Sequence, residues 1–419
     1  MIFRRKRAMT SGSELAAMEG RKFGLDQAMT GLSFVLLLII VAIPIFMIVY
    51  NAFFYENKFD ISLFVSVIGN VDNLKAMWNT IVIALAVTLF GTIMGLFYAW
   101  LLGRSDIPAK GFHEGHVYDS IYVSPHFSGA MAWDLLFSGR AGYVNKWLMA
   151  TFHLANAPIN INSIGGIIFV ECSYYFPFVF MQVVSALERM DPTLEESARI
   201  AGAKQGQVIA KITIPLVKPA ISAGALLILI SSLAHFGVPS ILGFSKNIYT
   251  LPTMIYALIY KSSGSFEGIR QGAALSILLV AVVSVALVIQ KRVLSSGSYD
   301  IIKGKSMRPT LIKLRGAKYP LLAFACLTLV VIVVVPLVMI FLVALVNAYG
   351  LPLTPENFSL KNYQKVLTSP ATLDSIKNSL FLSVTAGIVC MFLGVMVAYV
   401  INRIKPKGKG VLEILSVLP

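Results

Sequence analysis

Apolar residues run through this chain in long blocks separated by short polar ones. A bilayer's hydrocarbon core takes about 20 mostly apolar residues in helical form, because backbone N–H and C=O groups find no water there and must bond within the helix. That length predicts membrane spans over Gly31–Phe54, Met77–Leu102, Ile164–Leu187, Ala220–Leu242, Gly272–Gln290, Leu321–Val346 and Ile376–Ile401. A weaker candidate covers Val117–Phe137, and a further apolar run begins at Val411.

Basic residues set the orientation, since loops rich in Lys and Arg stay on the cytoplasmic side. They cluster at Arg4–Lys22, Lys204–Lys218, Lys291–Lys318 and Arg403–Lys409. These are alternate loops only when Val117–Phe137 is counted as a span. The weak segment is therefore predicted to cross, and the N-terminus to be cytoplasmic.

The spans also repeat. Asn79, Gly95, Ala99, Arg104 and Gly111 match Asn378, Gly394, Ala398, Arg403 and Gly410 at constant register, and Pro44, Met47 and Ile48 parallel Pro336, Met339 and Ile340. With a shorter connecting loop, Pro125 corresponds to Pro419. About six spans return the chain to its starting side, so the second copy begins in the same orientation: a parallel repeat. The layout is a cytoplasmic segment over residues 1–29, a first domain over 30–294, a basic cytoplasmic linker over 295–318 and a partial second domain over 319–419. The second copy stops at Pro419; completing it would take on the order of 150 further residues, so the chain reads as a fragment or an incomplete gene product.

Composition agrees with the spans: 57% of the 419 residues are hydrophobic and 13% charged, too apolar for a water-soluble domain. The net charge of +15 sits in short blocks between apolar runs and not on one amphipathic face, which argues against nucleic-acid binding. The cysteines, Cys172, Cys326 and Cys390, have neither close pairing nor metal-ligand spacing and read as packing residues.

The polar segment Asp191–Pro219 has structure of its own. Asp191 is a good helix N-cap and Pro192 suits the first helical position. The helix should run through Leu194, Glu195, Glu196, Ser197, Ala198, Arg199 and Ala201 until Gly202 permits a sharp turn. A second short helix with Val208, Ile209 and Ile212 should then break at Pro215 and Pro219. Glu196, Ser197, Ala198, three residues, Gly202, nine residues, Ile212, one residue, Ile214, Pro215 resembles the EAA loop of binding-protein-dependent ABC importer permeases. Ser197 and Ile214 depart conservatively from the family's Ala and Leu.

The resemblance implies an all-α polytopic membrane protein with the type I ABC importer permease fold, a tandem parallel repeat whose second copy is truncated. It also implies that Glu195, Glu196, Ser197, Ala198, Gly202, Ile212 and Pro215 form the loop that an ATP-binding subunit grips. On that basis the chain is a transport subunit without its own ATPase site, in the cell (inner) membrane. ATP and magnesium belong to the partner, expected in two copies, and a periplasmic or extracellular solute-binding protein delivers the cargo. His235–Gly243 (HFGVPSILG), with Tyr249, Thr250, Ile255 and Tyr256, looks like the ferric iron permeases, which fuse both halves in one polypeptide. Related fused permeases carry thiamine or aminoethylphosphonate, and single-half relatives carry sulfate, polyamines and sugars.

Other motifs fall short. Gly304, Lys305 and Ser306 end a phosphate loop, but Tyr299 stands where that loop needs Gly. His113, Glu114, Gly115 and His116 miss the zinc-protease spacing by one residue, so no metal site is expected. Ionisable residues at membrane depth face a cavity or a partner. Asp134 and Glu171, with Tyr174 and Tyr175, are candidates for the translocation path, where oxygen ligands suit a hard cation, or for anchoring at headgroup depth. His235 joins them as a path candidate, with simple packing favoured, and Gly91 and Gly95 suit a close helix contact. Rival classes are an ion-coupled secondary transporter, which also uses repeats and intramembrane carboxylates, and a membrane enzyme, for which no catalytic cluster is evident.

Overall fold

The computed structural model describes residues 24–55, 58–108, 126–261, 265–295 and 311–417. The Arg4–Lys22 cluster, His113–His116, Gly304–Ser306, Pro125, Pro419 and most of the weak span lie outside them.

In chain order the helices are α1 (Gly24–Phe53), α2 (Ser62–Gly69), α3 (Val71–Arg104), α4 (His126–Phe137), α5 (Tyr143–Phe152), α6 (Ile164–Arg189), α7 (Thr193–Ile200) and α8 (Gln205–Leu233). They continue as α9 (Gly237–Gly243), α10 (Leu251–Lys261), α11 (Phe266–Ser295), α12 (Arg315–Leu345), α13 (Lys361–Thr368), α14 (Pro370–Ile404) and α15 (Lys409–Val417). Among the described residues 7 helices are long and apolar enough to cross a membrane: α1, α3, α6, α8, α11, α12 and α14. Each of the strong sequence candidates falls on one of them.

Ala220–Leu242 is misplaced, however: α8 starts at Gln205, and α9 forms after a break at Ala234. Pro215 and Pro219 do not end the helix. A proline ring lacks a donor and crowds the carbonyl four residues back, and one widened π-turn removes the conflict. Ile214 N–H bonds the Ile209 carbonyl across such a turn, directly before Pro215. The same device precedes Pro44 (Ile43 to Leu38) and Pro336 (Val335 to Val330), whereas before Pro406 the Lys405 to Val400 bond closes α14, with Lys405 left-handed at φ +53°.

The repeat extends to element bounds. The π-turn Leu38–Ala42 and helix Ile43–Phe53 correspond to Val330–Val334 and Val335–Leu345 at the register that pairs Pro44 with Pro336. At the register that pairs Asn79 with Asn378, α2 matches α13, and Val71 at the start of α3 matches Pro370 at the start of α14.

By contact the chain groups into 57–362 and, separately, 1–56 with 363–419. Each copy's first span is thus grouped with the other copy's second span, unlike the linear division at the linker. In the smaller unit Leu37 of α1, Val397 and Val400 of α14 and Leu412 of α15 form a buried cluster.

In the larger unit α3, α6 and α8 make the core, and α12 joins it through Ala325, Leu329 and Met339. Tyr98 donates to the Ala325 carbonyl at 3.0 Å. Small residues set the spacing, as the Gly91 and Gly95 pattern predicts: a Cβ on Gly95 would lie 2.6 Å from the Phe176 carbonyl oxygen, and one on Gly224 would lie 2.6 Å from Val179 Cα. Gly91 approaches Ile228 and Phe176, and Gly103 approaches Leu187. Contact positions on α3 and α6 rise together, so these spans are parallel and the chain between them must return to the far end. Helix α4 lies on that return, with Gly129 packed against the Tyr174 ring.

Candidate functional site

At one end of the core, the C-termini of α3 and α6 meet the start of α8, and the segment between α6 and α8 forms a knob. Asp191 Oδ1 accepts from the Thr193 N–H at 2.9 Å and from its hydroxyl at 2.8 Å, so it orders the first turn although the helix starts at Thr193 and not at Pro192. The Thr193 N–H holds the Asp191 carboxyl below its ordinary range. Helix α7 ends as a Schellman turn: Ala203 N–H bonds the Ala198 carbonyl and Gly202 N–H the Arg199 carbonyl, both at 3.0 Å. Gly202 takes φ +87°, a left-handed backbone where a Cβ is strained. The Gln207 side chain then accepts from Lys204 N–H at 2.9 Å and opens α8.

Exposure sorts the loop residues into two roles. Glu196, Ser197, Ala201 and Gly202 are exposed and Ala198 is half-buried. Ile200, at the tip, is 88% exposed. Pro215 is exposed and Ile212 half-buried. Glu195 turns inward and is 3% exposed. Its carboxylate accepts from Arg104 Nη2 at 3.0 Å, from the Thr213 hydroxyl at 2.7 Å and from Arg199 Nη2 at 3.5 Å. Arg104 itself is 1% exposed. Two buried charges are tolerable only when paired and hydrogen-bonded, and removing one partner of such a pair costs about 3–5 kcal/mol. The motif spacing starts at Glu196, yet the expected contact loop held Glu195 with it; the buried Arg104 turns Glu195 inward and separates the two.

The span residues gather where α6 faces α8. Glu171 is fully buried; one carboxylate oxygen accepts from the Ser232 hydroxyl, and the other has no hydrogen-bond partner among the described residues. Tyr175, one turn on, pairs with His235 Nδ1 and lies 3.4 Å from the Ser231 carbonyl. Tyr174 is buried against α4. All three α6 side chains therefore sit within the helix bundle and not on its outer face. Asp134 is half-buried and accepts from Asn162 Nδ2 at 2.8 Å, apart from that cluster. His235 is bonded to Tyr175 in addition to packing. Among the described residues no group of three His, Cys, Asp or Glu side chains could hold a metal ion.

The opposite end carries a polar cavity of about 970 Å³ that the sequence did not flag, lined by Asn70, Asp72, Asn79, Tyr249, Glu267 and Gln271 among others. Asn79 Nδ2 donates to the Tyr249 carbonyl at 2.9 Å and Thr80 accepts from Leu251 N–H at 2.7 Å, fastening the chain after the HFGVPSILG segment to α3.

Residues 125–297 match the family model described as binding-protein-dependent transport system inner membrane component. A putative ferric transport system permease of Haemophilus influenzae is 26% identical over 419 residues, 98% of this chain and 63% of that protein. The molybdenum transport system permease of Escherichia coli is 30% identical over 223 residues, 51% of this chain and 92% of the relative. In fold, the chain resembles a bacterial alginate ABC transporter crystallised with an alginate-bound periplasmic protein, with a TM-score of 0.54 at 21% identity over 68% of this chain and 98% of the matched one. The chain spans less than two thirds of the length of the ferric relative.

Proposed function

The chain belongs to the family of binding-protein-dependent transport system inner membrane components, and from that premise we propose that it forms the passage of an ABC importer for ferric iron. The observation that carries this reading is the knob: an exposed Glu196–Gly202 tip on a helix rooted by the buried Arg104–Glu195 pair. Such a knob can be gripped by a separate ATP-binding subunit, which holds the ATP and magnesium, without unravelling the spans behind it. The basic block Lys204–Lys218 beside it supports a cytoplasmic position for the knob and, by span count, for the N-terminus. A solute-binding protein docks at the far end, where the Asn70–Gln271 cavity lies.

Ferric iron is favoured as cargo because the ferric relative matches along nearly the whole chain, whereas the molybdenum relative matches half of it. Alternating access then requires the knob to bind differently in the two states, since only differential contacts shift an equilibrium. The test is co-purification and uptake. The chain should retain a cassette ATPase, and Gly202→Trp should insert normally yet abolish uptake of radioactive ferric iron. Normal uptake by Gly202→Trp, or transport of molybdate in place of iron, would overturn the corresponding part.

A further inference from the structure

The knob's own geometry points to a role for a residue outside the loop, and the inference rests on the importer reading above. We infer that Arg104 is a positioning residue of the transport cycle, the joint through which movement of α7 is passed to span α3. Helix α7 packs on the first turns of α8, around Ile209–Thr213. Its polar side-chain connection to α3, among the described residues, is the Arg104–Glu195 bond. Thr213 closes the triangle by donating to the same Glu195 oxygen, so one carboxylate ties α3, α7 and α8 together. The joint continues beyond the loop. Arg104's carbonyl accepts from Ile312 N–H at 2.8 Å, and two residues on Asp106 receives Leu314 N–H at 3.0 Å and Lys318 at 3.5 Å. A push on the exposed tip thus reaches both α3 and the start of α12 through a few short, directional bonds.

A flexible attachment would let α7 move without the span. A buried ion pair resists that, because Glu195 is held at once by Arg104, Thr213 and Arg199, and parting its charge from that of Arg104 leaves both desolvated and uncompensated. Neither Arg104 Nε nor Nη1 has a hydrogen-bond partner among the described residues, so the guanidinium's hold on α7 rests on Nη2 alone.

Arg104→Gln in the full chain, assembled with its cassette ATPase and binding protein in proteoliposomes, separates this role from simple support. The quantity read is solute transported per ATP hydrolysed. Lost support lowers the amount of complex, and uptake and hydrolysis fall together with the ratio intact; a lost joint lets hydrolysis run without transport. The ratio should fall at least ten-fold in Arg104→Gln and recover to within three-fold of wild type in Arg104→Lys, which keeps the charge. Should Arg104→Gln fail to accumulate in the membrane, Thr213→Val, which removes one donor to Glu195, should lower the ratio about three-fold. An unchanged ratio in whichever of these variants assembles overturns the proposal. A wild-type chain that retains no cassette ATPase overturns the importer reading itself, and is read before any ratio.

Discussion

Arg104 and Glu195, at the end of one span and one turn into a surface helix, form a buried ion pair at 3.0 Å that anchors the loop carrying the Glu196–Gly202 motif. The pair divides a run of two adjacent glutamates into an inward anchor and an outward contact.

Arg104→Ala should destabilise the detergent-solubilised chain by about 3–5 kcal/mol, because it strands a buried carboxylate. Arg403, its counterpart in the repeat, is exposed, and Arg403→Ala should stay within about 0.5 kcal/mol of wild type. Denaturant unfolding of both variants checks the contrast; equal losses would remove the anchoring role of Arg104.

Gly95 and Gly394 form a second matched pair. A side chain at Gly95 meets the Phe176 carbonyl at 2.6 Å and Val179 Cβ at 2.8 Å, whereas one at Gly394 meets nothing within 4 Å. Gly95→Val should lower stability by about 1–3 kcal/mol through overpacking. Gly394→Val should be near neutral in the isolated chain by the same unfolding measurement.

Gly202 differs from Gly95 in that nothing lies near it, and from Gly394 in that the strain is in its backbone, at φ +87°. Gly202→Val should cost about 1–2 kcal/mol and Gly202→Asn less, because Asn visits the left-handed region more readily. Retention of the cassette ATPase should follow the same order, Gly above Asn above Val.

Much of this was legible in the sequence. The seven strong spans and the repeat follow from long apolar runs and from Asn79, Gly95 and Arg104 recurring at one register, while most of the weak Val117–Phe137 span lies outside the described residues. The start of α8 was not, because proline normally ends a helix and the π-turn before Pro215 has no residue signature of its own. The grouping of each first span with the other copy's second span was hidden for another reason: all-round apolar helices carry no mark of which neighbour they choose. Likewise the Glu171–Ser232 and Tyr175–His235 bonds join residues that only the antiparallel packing of α6 on α8 brings together.

Acid should leave the strap between α3 and α12 intact until low pH. Leu314 N–H, aided by Lys318, holds the Asp106 carboxyl below its ordinary value. A lowered folded value means that its contribution is fully present above about pH 3.9, the unperturbed aspartate value, and is lost as pH falls through the lowered one. Hydrogen exchange at the Leu314 amide should stay slow from neutral pH to about pH 4 once corrected for intrinsic rate. Asp106→Asn should keep that protection and lose the contribution of Lys318.

The most direct test of the importer account is the accessibility of the knob. With Cys172, Cys326 and Cys390 replaced, a single cysteine at Ile200 should react with a membrane-impermeant maleimide in inside-out vesicles and not in right-side-out ones. Added cassette ATPase should slow that reaction at least ten-fold. Labelling from the outside, or labelling that the ATPase leaves unchanged, would contradict it.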